Sequence, residues 1–307
     1  MLAVFLFMKK SISLLTFVLY ISTAAAQIDP IKYPTYTDIE TALKSELPVY
    51  SISLRDKGLY NLPPDLIKME SLFFLNAMGN HLEKIDQSVF TLSKLKYLNL
   101  NANNLTFIPN DIGSLKNLET FSINLNNLTA INEEITNLKN LKVVHFESNN
   151  LSSFPSALLQ IPTLEEINLQ SNQISFVSDS LFKIKNLKYL NLSENQINDL
   201  GAIKLPKHLK YLELQKNNIV KIPEKVFKIK YAEYINLSNN AIVEIPKNIK
   251  DLKSVVSISL ANNRITTIPQ EIQELENLKT LILTGNPIDI ETIEKIKAMI
   301  PNANVYF

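Results

Sequence analysis

The sequence predicts an α/β solenoid. This is a right-handed superhelix with a curved parallel β-sheet on its concave face and short helical or extended segments on its convex face. Three observations lead there. Blocks of 23 residues repeat from Val49 onward, starting at Val49, Leu72, Leu95, Leu118, Leu141, Leu164, Leu187, Leu209, Ala232, Val255 and Leu278. Apolar residues at the fourth and sixth positions of a block alternate with polar ones, the period of a strand with one buried face. An asparagine stands ninth in every block but the first.

The strand comes first in each block. In the block that opens "LKYLNLNANNLTFIP", Leu98 and Leu100 point inward while Tyr97, Asn99 and Asn101 point outward. One block cannot bury its apolar face alone, so neighbours must stack and share a continuous core. At about 4.8 Å per strand, ten steps give an inner rim on the order of 50 Å long. The ninth-position residues are Asn80, Asn103, Asn126, Asn149, Asn172, Asn195, Asn217, Asn240, Asn263 and Asn286. The chain leaves the strand there and turns across the core, stranding backbone polar groups. Each unmet group costs about 1–3 kcal/mol. A side-chain amide both donates and accepts, so it can bridge adjacent turns as a structural ladder. Lys57 replaces the asparagine in the first block, which has no neighbour on one side.

The convex half follows. Pro63, Pro109, Pro155, Pro223, Pro246 and Pro269 each follow an apolar residue. Proline lacks an N–H and resists strand and helix interiors, so extended segments and short helical turns are expected. The block from Leu187 to His208 has 22 residues, carries Gly201 and lacks the usual proline, which predicts a local change in curvature.

The pattern L-x-x-L-x-L-x-x-N-x-L, mostly continued by an apolar-Pro pair, resembles the leucine-rich repeat family. It is most similar to the 23-residue class with an L-P-x-x-I second half, common in bacterial secreted and surface proteins and in some intracellular signalling scaffolds. The resemblance covers about 260 of the 307 residues. It implies partner binding, usually of proteins, through the concave face.

Both ends depart from the repeat. "MKKSISLLTFVLYISTAAAQ", from Met8, has a basic start, a short apolar run and Ala24-Ala25-Ala26 before Gln27. It reads as a signal peptide over 1–26, cut after Ala26, with translation expected to start at Met8. Secretion, periplasmic residence or a cell-surface location follows, with no stable membrane span after removal of the signal peptide. Residues 27–48 read as an N-terminal helical cap, with a Thr37-x-x-Glu40 capping box and apolar Ile39, Ala42, Leu43 and Leu47. Ten repeats then fill 49–277. Residues 278–307 hold the final repeat and a C-terminal cap, in which Asp289 opens a helix ended near Pro301 and Val305 and Phe307 form an edge strand.

Composition narrows the function. The full chain carries a net charge of +1. Loss of Lys9 and Lys10 with the signal peptide makes the mature balance 29 basic against 30 acidic residues, so no basic field for nucleic acid exists. With no cysteine, disulfides, thiolate catalysis and zinc–thiolate sites are excluded. His81, His145 and His208 fall at different repeat positions and form no metal-ligand cluster. Five glycines form no phosphate loop. No cofactor, metal or catalytic residue is expected. Position two runs Lys96, Glu119, Lys142, Glu165, Lys188, Lys210 and Glu233, so neighbouring strands often carry opposite charges, which reads as a cross-strand ion-pair ladder. Asn104, Asn127, Asn150, Asn191 and Asn236 begin N-x-S/T triplets, sugar sites in a eukaryote and accidents of the repeat in a bacterium.

The outward strand positions remain. Position three holds Phe74, Tyr97, Tyr189, Tyr211 and Tyr234 in two aromatic patches, among Ser, Thr, Val and Glu. Positions five and seven are mostly Asn, Ser and Gln, including Asn99, Asn101, His145 and Gln215. Tyrosine offers large contact area at low entropy cost and the amides offer adaptable hydrogen bonds, a paratope-like mixture. Aromatics also suit strands for packing reasons alone. These nine residues are the candidate partner-binding set. The expected function is an exported, non-catalytic binding module for a protein partner. A glycan or cell-envelope ligand is the alternative, since tyrosine faces stack on sugars.

Overall fold

The computed structural model describes residues 34–201 and 203–307. The expected signal peptide and the first residues of the expected N-terminal cap lie outside the described residues. Thirteen parallel strands form one sheet, each paired with its neighbours in chain order. They are β1 Thr35–Tyr36, β2 Ser51–Ser53, β3 Phe74–Asn76, β4 Tyr97–Asn99, β5 Thr120–Ser122, β6 Val143–His145 and β7 Glu166–Asn168. The series continues with β8 Tyr189–Asn191, β9 Tyr211–Glu213, β10 Tyr234–Asn236, β11 Ser257–Ser259, β12 Thr280–Ile282 and β13 Asn304–Tyr306. Equal positions face each other across every step from β2 to β12, for example Leu98 opposite Phe121. The strands are short because the asparagine turn follows at once.

The inward leucines and isoleucines make one continuous buried core. Phe121 and Phe146 meet edge-to-face inside it at 5.6 Å between ring centroids. The asparagines bridge blocks in the same way from Asn80 to Asn286. Asn103 is representative. Its Oδ1 accepts from the Leu82 N–H at 3.0 Å, and its Nδ2 donates to the carbonyls of Ala77 at 3.1 Å and Leu100 at 3.0 Å. Lys57, in the asparagine position of the first block, donates its own N–H to Asn80 Oδ1 at 3.1 Å.

The residue before each asparagine is left-handed. Gly79 and Gly285 suit that conformation, but nine non-glycine residues also adopt it, among them Ala102 and Leu125 at φ +53° and +55°. Their N–H groups reach the next strand's turn, as Leu125 N does to Glu147 O at 3.0 Å.

On the convex side each of the six prolines caps a five-residue 3₁₀ segment, as Pro109 does for Asn110–Ser114. Asn132 takes the proline's place before Glu133–Asn137 and accepts from Glu134 N at 2.6 Å. The block from Leu187 has no helical segment among the described residues; Asp199 Oδ1 accepts from Gly201 N at 2.7 Å there.

The N-terminal cap differs from expectation. Helix α1 spans only Ile39–Leu43, and Asp38, not Thr37, is its N-cap, accepting from Thr41 N at 2.7 Å. The carboxylate reaches the free N–H groups of the first turn from one residue later, so no Thr37–Glu40 box forms. Ala42 alone of the helix is buried, while Leu43 and Leu47 are exposed. The two-residue β1 pairs with β2 and covers the sheet edge. Helix α2 covers Gln87–Phe90. At the other end, Asp289 caps helix α3, Ile290–Met299, through Thr292 N at 2.7 Å, and β13 closes the sheet. Ile296 and Ile300 are buried against the last repeat, whereas Ile290 faces water.

Candidate binding surface

Strand alternation sets the outward face. With Leu212 and Leu214 in the core, Tyr211, Glu213 and Gln215 face the concave side, and the in-register sheet aligns equivalent residues into rows. The row of position three brings Tyr189, Tyr211 and Tyr234 together on β8, β9 and β10. Tyr189 and Tyr211 ring centroids are 6.4 Å apart, and Phe74 and Tyr97 on β3 and β4 stand at the same separation. The two patches do not meet. Four strand steps from Tyr97 to Tyr189 amount to about 19 Å.

Exposure divides the aromatics. Tyr189 is only 6% exposed, so it offers little area, while Phe74, Tyr97, Tyr211 and Tyr234 are half-buried. Burial first, then neighbouring carboxylates, raises the tyrosine hydroxyls above their usual value: Glu119 beside Tyr97, Glu213 and Glu166 beside Tyr189, and Glu213 beside Tyr234. Tyr211 is pushed up to about 12, by burial and then by Glu233, to which its hydroxyl donates at 3.2 Å. All four hydroxyls therefore stay neutral donors at physiological pH.

Between the patches lies a polar network. His145 joins Ser122 Oγ at 3.2 Å through Nδ1 and Glu166 Oε1 at 2.8 Å through Nε2. Ser122 and Glu166 are both buried, so the chain of bonds is a strut across three strands rather than an exposed nucleophile. Glu147 accepts from Asn124 at 2.8 Å and from Asn168 at 2.5 Å. Asn101 Oδ1 accepts from Asn124 N, and Asn99 Oδ1 from Asn101 N, so both amides partly serve the backbone.

Glu213 was not among the residues singled out by sequence. It is 8% exposed, and burial pushes its carboxyl up to about 7 against weaker opposing hydrogen bonds from Asn236 and Gln215. Among the described residues its Oε2 has no hydrogen-bond partner, and neither has Gln215 Oε1. The only sequence signal was a lone acid in a position-five row otherwise free of carboxylates.

The flank of the sheet carries the position-two charges. Glu119 pairs with Lys96 at 2.9 Å and Lys142 at 2.8 Å, Lys188 with Glu165 at 2.5 Å, and Lys210 with Glu233 at 2.6 Å. Burial pushes the Glu119 carboxyl up, but Lys142 and Lys96 together outweigh it and hold the group below its ordinary value. A groove of about 480 Å³ beside this ladder includes His208 and Tyr231, whose rings stack at 5.5 Å. Its lysines, Lys188 and Lys210, are both held by glutamates. Among the described residues no three His, Asp or Glu side chains cluster for a metal, and no helix is long and apolar enough to cross a membrane.

Comparison with known proteins agrees with this architecture. Family models described as leucine-rich repeat region and leucine rich repeat match residues 86–201 and 246–288. No curated protein sequence matches the chain. Among solved structures, a leucine-rich repeat protein of Leptospira interrogans is 33% identical with a TM-score of 0.78, over 85% of this chain and 66% of that one. The functional domain of InlJ from Listeria monocytogenes is 19% identical with a TM-score of 0.68, over 83% of this chain and 52% of that one. A chain of the octameric complex of Latrophilin 3, Unc5D and FLRT2 is 21% identical with a TM-score of 0.73, over 84% and 83% of the two chains. The last two likenesses concern the fold alone. This chain thus spans just under two thirds of the Leptospira protein and about half of the InlJ domain.

Proposed function

This chain belongs to the leucine-rich repeat family, and from that premise we propose that it is an exported, non-catalytic module that binds a protein partner through its concave face. The observation that carries this reading is the spacing of the two aromatic patches on one face. A gap of about 19 Å is bridged by roughly six residues of extended chain, whereas a small molecule covers one patch only. The amide-rich ground between the patches supplies adaptable hydrogen bonds, the setting in which tyrosines act as anchors. Surface residence accords with the Ala24-Ala25-Ala26 cleavage signal.

The test compares binding partners of the chain from Gln27 onward with those of a triple variant, Tyr97→Ala, Tyr211→Ala and Tyr234→Ala. Tyr189 is left intact because it is buried within the row and offers a partner little area. Envelope and host-cell proteins are captured side by side, with an array of purified glycans in parallel. The triple variant is expected to bind its protein partner at least about tenfold more weakly, since one anchor is worth more than about 1–2 kcal/mol. Tyr60→Ala, on an exposed residue outside the concave rows, leaves binding unchanged. Undiminished binding by the triple variant refutes the reading; selective glycan capture moves it to the sugar alternative.

A further inference from the structure

Three carboxylates face the concave side between β6 and β9, and each has hydrogen-bonding partners within the chain. Glu166 has His145 at 2.8 Å, and Glu147 has two amide donors. Glu213 differs: Asn236 and Gln215 bond to its carboxyl, but its Oε2 is closed to water and has no hydrogen-bond partner among the described residues. Lysines stand nearby on the same strands, but Lys188 and Lys210 sit on the flank and are engaged by Glu165 and Glu233. A buried carboxylate without a counter-charge is costly; no ion pair reaches Glu213 among the described residues, and a cation from a partner would relieve it.

We propose that Glu213 receives a cationic side chain, lysine or arginine, from an extended segment of a protein partner, seated among the rings of Tyr189, Tyr211 and Tyr234. This rests on the concave-face reading and names the chemistry of the partner. Aromatic faces around a buried carboxylate suit a cation twice over. The rings attract it through their quadrupoles, and the dry surroundings strengthen its pairing with the acid. Asn191 and Asn236, directly opposite Glu213 on the adjoining strands, are neutral.

In the free protein a proton competes for that place. Burial holds the Glu213 carboxyl near 7, and Gln215 Oε1 is a second unpartnered acceptor on the same strand face. Binding a cation must then displace the proton. The titratable groups that face Glu213 are Tyr189 on β8 and Tyr234 on β10, both raised. Tyr211 on its own strand bonds Glu233. Glu166 and Glu147 lie farther along the face, with His145 on Glu166. Glu194 is paired with Lys216 at 2.6 Å.

The probe is hexalysine, titrated calorimetrically into the chain from Gln27 onward at pH 6 and pH 8, with hexaserine as the neutral control. Across a group that titrates near 7, the ionised fraction rises from about one tenth to about nine tenths, so hexalysine is expected to bind about tenfold more tightly at pH 8. Glu213→Gln, which removes a buried charge and keeps the shape, is expected to abolish that pH dependence and to bind no better than the wild type at pH 6. Equal binding by wild type and Glu213→Gln at both pH values overturns the inference, as does absence of hexalysine binding at millimolar concentration. If binding is equal in Glu213→Gln but lost in the triple tyrosine variant, the concave reading stands and the cation site falls. If neither variant matters, both fall.

Discussion

Asn149 illustrates how much one side chain carries in this molecule. It is 6% exposed; its Oδ1 takes the Leu128 N–H at 3.0 Å, and its Nδ2 serves the carbonyls of Ile123 and Phe146 at 3.0 and 3.1 Å. Asn149→Asp is nearly isosteric but deletes both donors and places a charge in the core. Two orphaned carbonyls at about 1–3 kcal/mol each predict a loss on the order of 3 kcal/mol, measurable as a lower urea midpoint, and at least as large a loss as Asn149→Ala. A loss below about 1 kcal/mol would mean that water replaces the amide. The role of this asparagine was legible in the sequence because the period repeats it ten times. Glu213 was not legible. An acid on an outward strand position reads as solvated, and its burial depends on how neighbouring tyrosine rings lie, which no periodicity encodes. The bond from His145 to Glu166 was hidden for a related reason: it joins position five of one block to position three of the next, a diagonal that column-by-column reading misses.

At the scale of the element, the turn between strand and asparagine shows the limit of local propensity. A left-handed residue is usually glycine, yet Asp56, Ala102, Leu125 and six others hold that conformation, so nothing in the composition marks the turn. Stacking overrides the local preference, because each left-handed residue sends its N–H to the neighbouring block. Leu125 is 55% exposed and therefore contributes little burial in exchange for its strain. Relief of about 1–2 kcal/mol of left-handed strain exceeds the roughly 0.5–1 kcal/mol of extra chain entropy that glycine brings to the unfolded state. Leu125→Gly is accordingly expected to raise the stability by about 0.5–1 kcal/mol, read as a higher urea midpoint; a lower midpoint would show that the exposed leucine packs more usefully than its area suggests. The convex elements were more legible, because each proline announces the 3₁₀ segment that follows it. The N-terminal helix was misplaced by a residue because Thr37 and Asp38 both suit an N-cap, and only the observed bond to Thr41 N decides between them.

At the scale of the whole molecule, the sheet and the asparagine ladder run without interruption while the convex layer does not. Helical segments stack from Pro64–Lys68 to Leu181–Lys183 and again from Glu224–Lys228 to Gln270–Glu274, with none between among the described residues. The short block absorbs its missing residue without breaking the ladder, since Asn217 still accepts from Ile197 N at 3.0 Å and donates to Leu192 O at 2.9 Å. Solenoid stability is a sum of block and neighbour terms, so a block with no convex helical segment among its described residues is the place where the stack opens first. Its return segment buries Leu200, Ile203 and Leu205 but leaves Lys204 and Lys207 exposed. One backbone bond from Lys204 N to Asp179 O, at 3.3 Å, ties the segment across to the preceding block. Brief trypsin treatment under native conditions is therefore expected to cut first after Lys204 or Lys207, giving fragments that begin at Leu205 or His208. N-terminal sequencing of the first products decides the matter. Initial cuts at the exposed lysines of the 3₁₀ segments, such as Lys225 or Lys250, would show that the short block is no weaker than its neighbours. In that case its missing proline changes the outline of the convex face and leaves the coupling between the two halves intact.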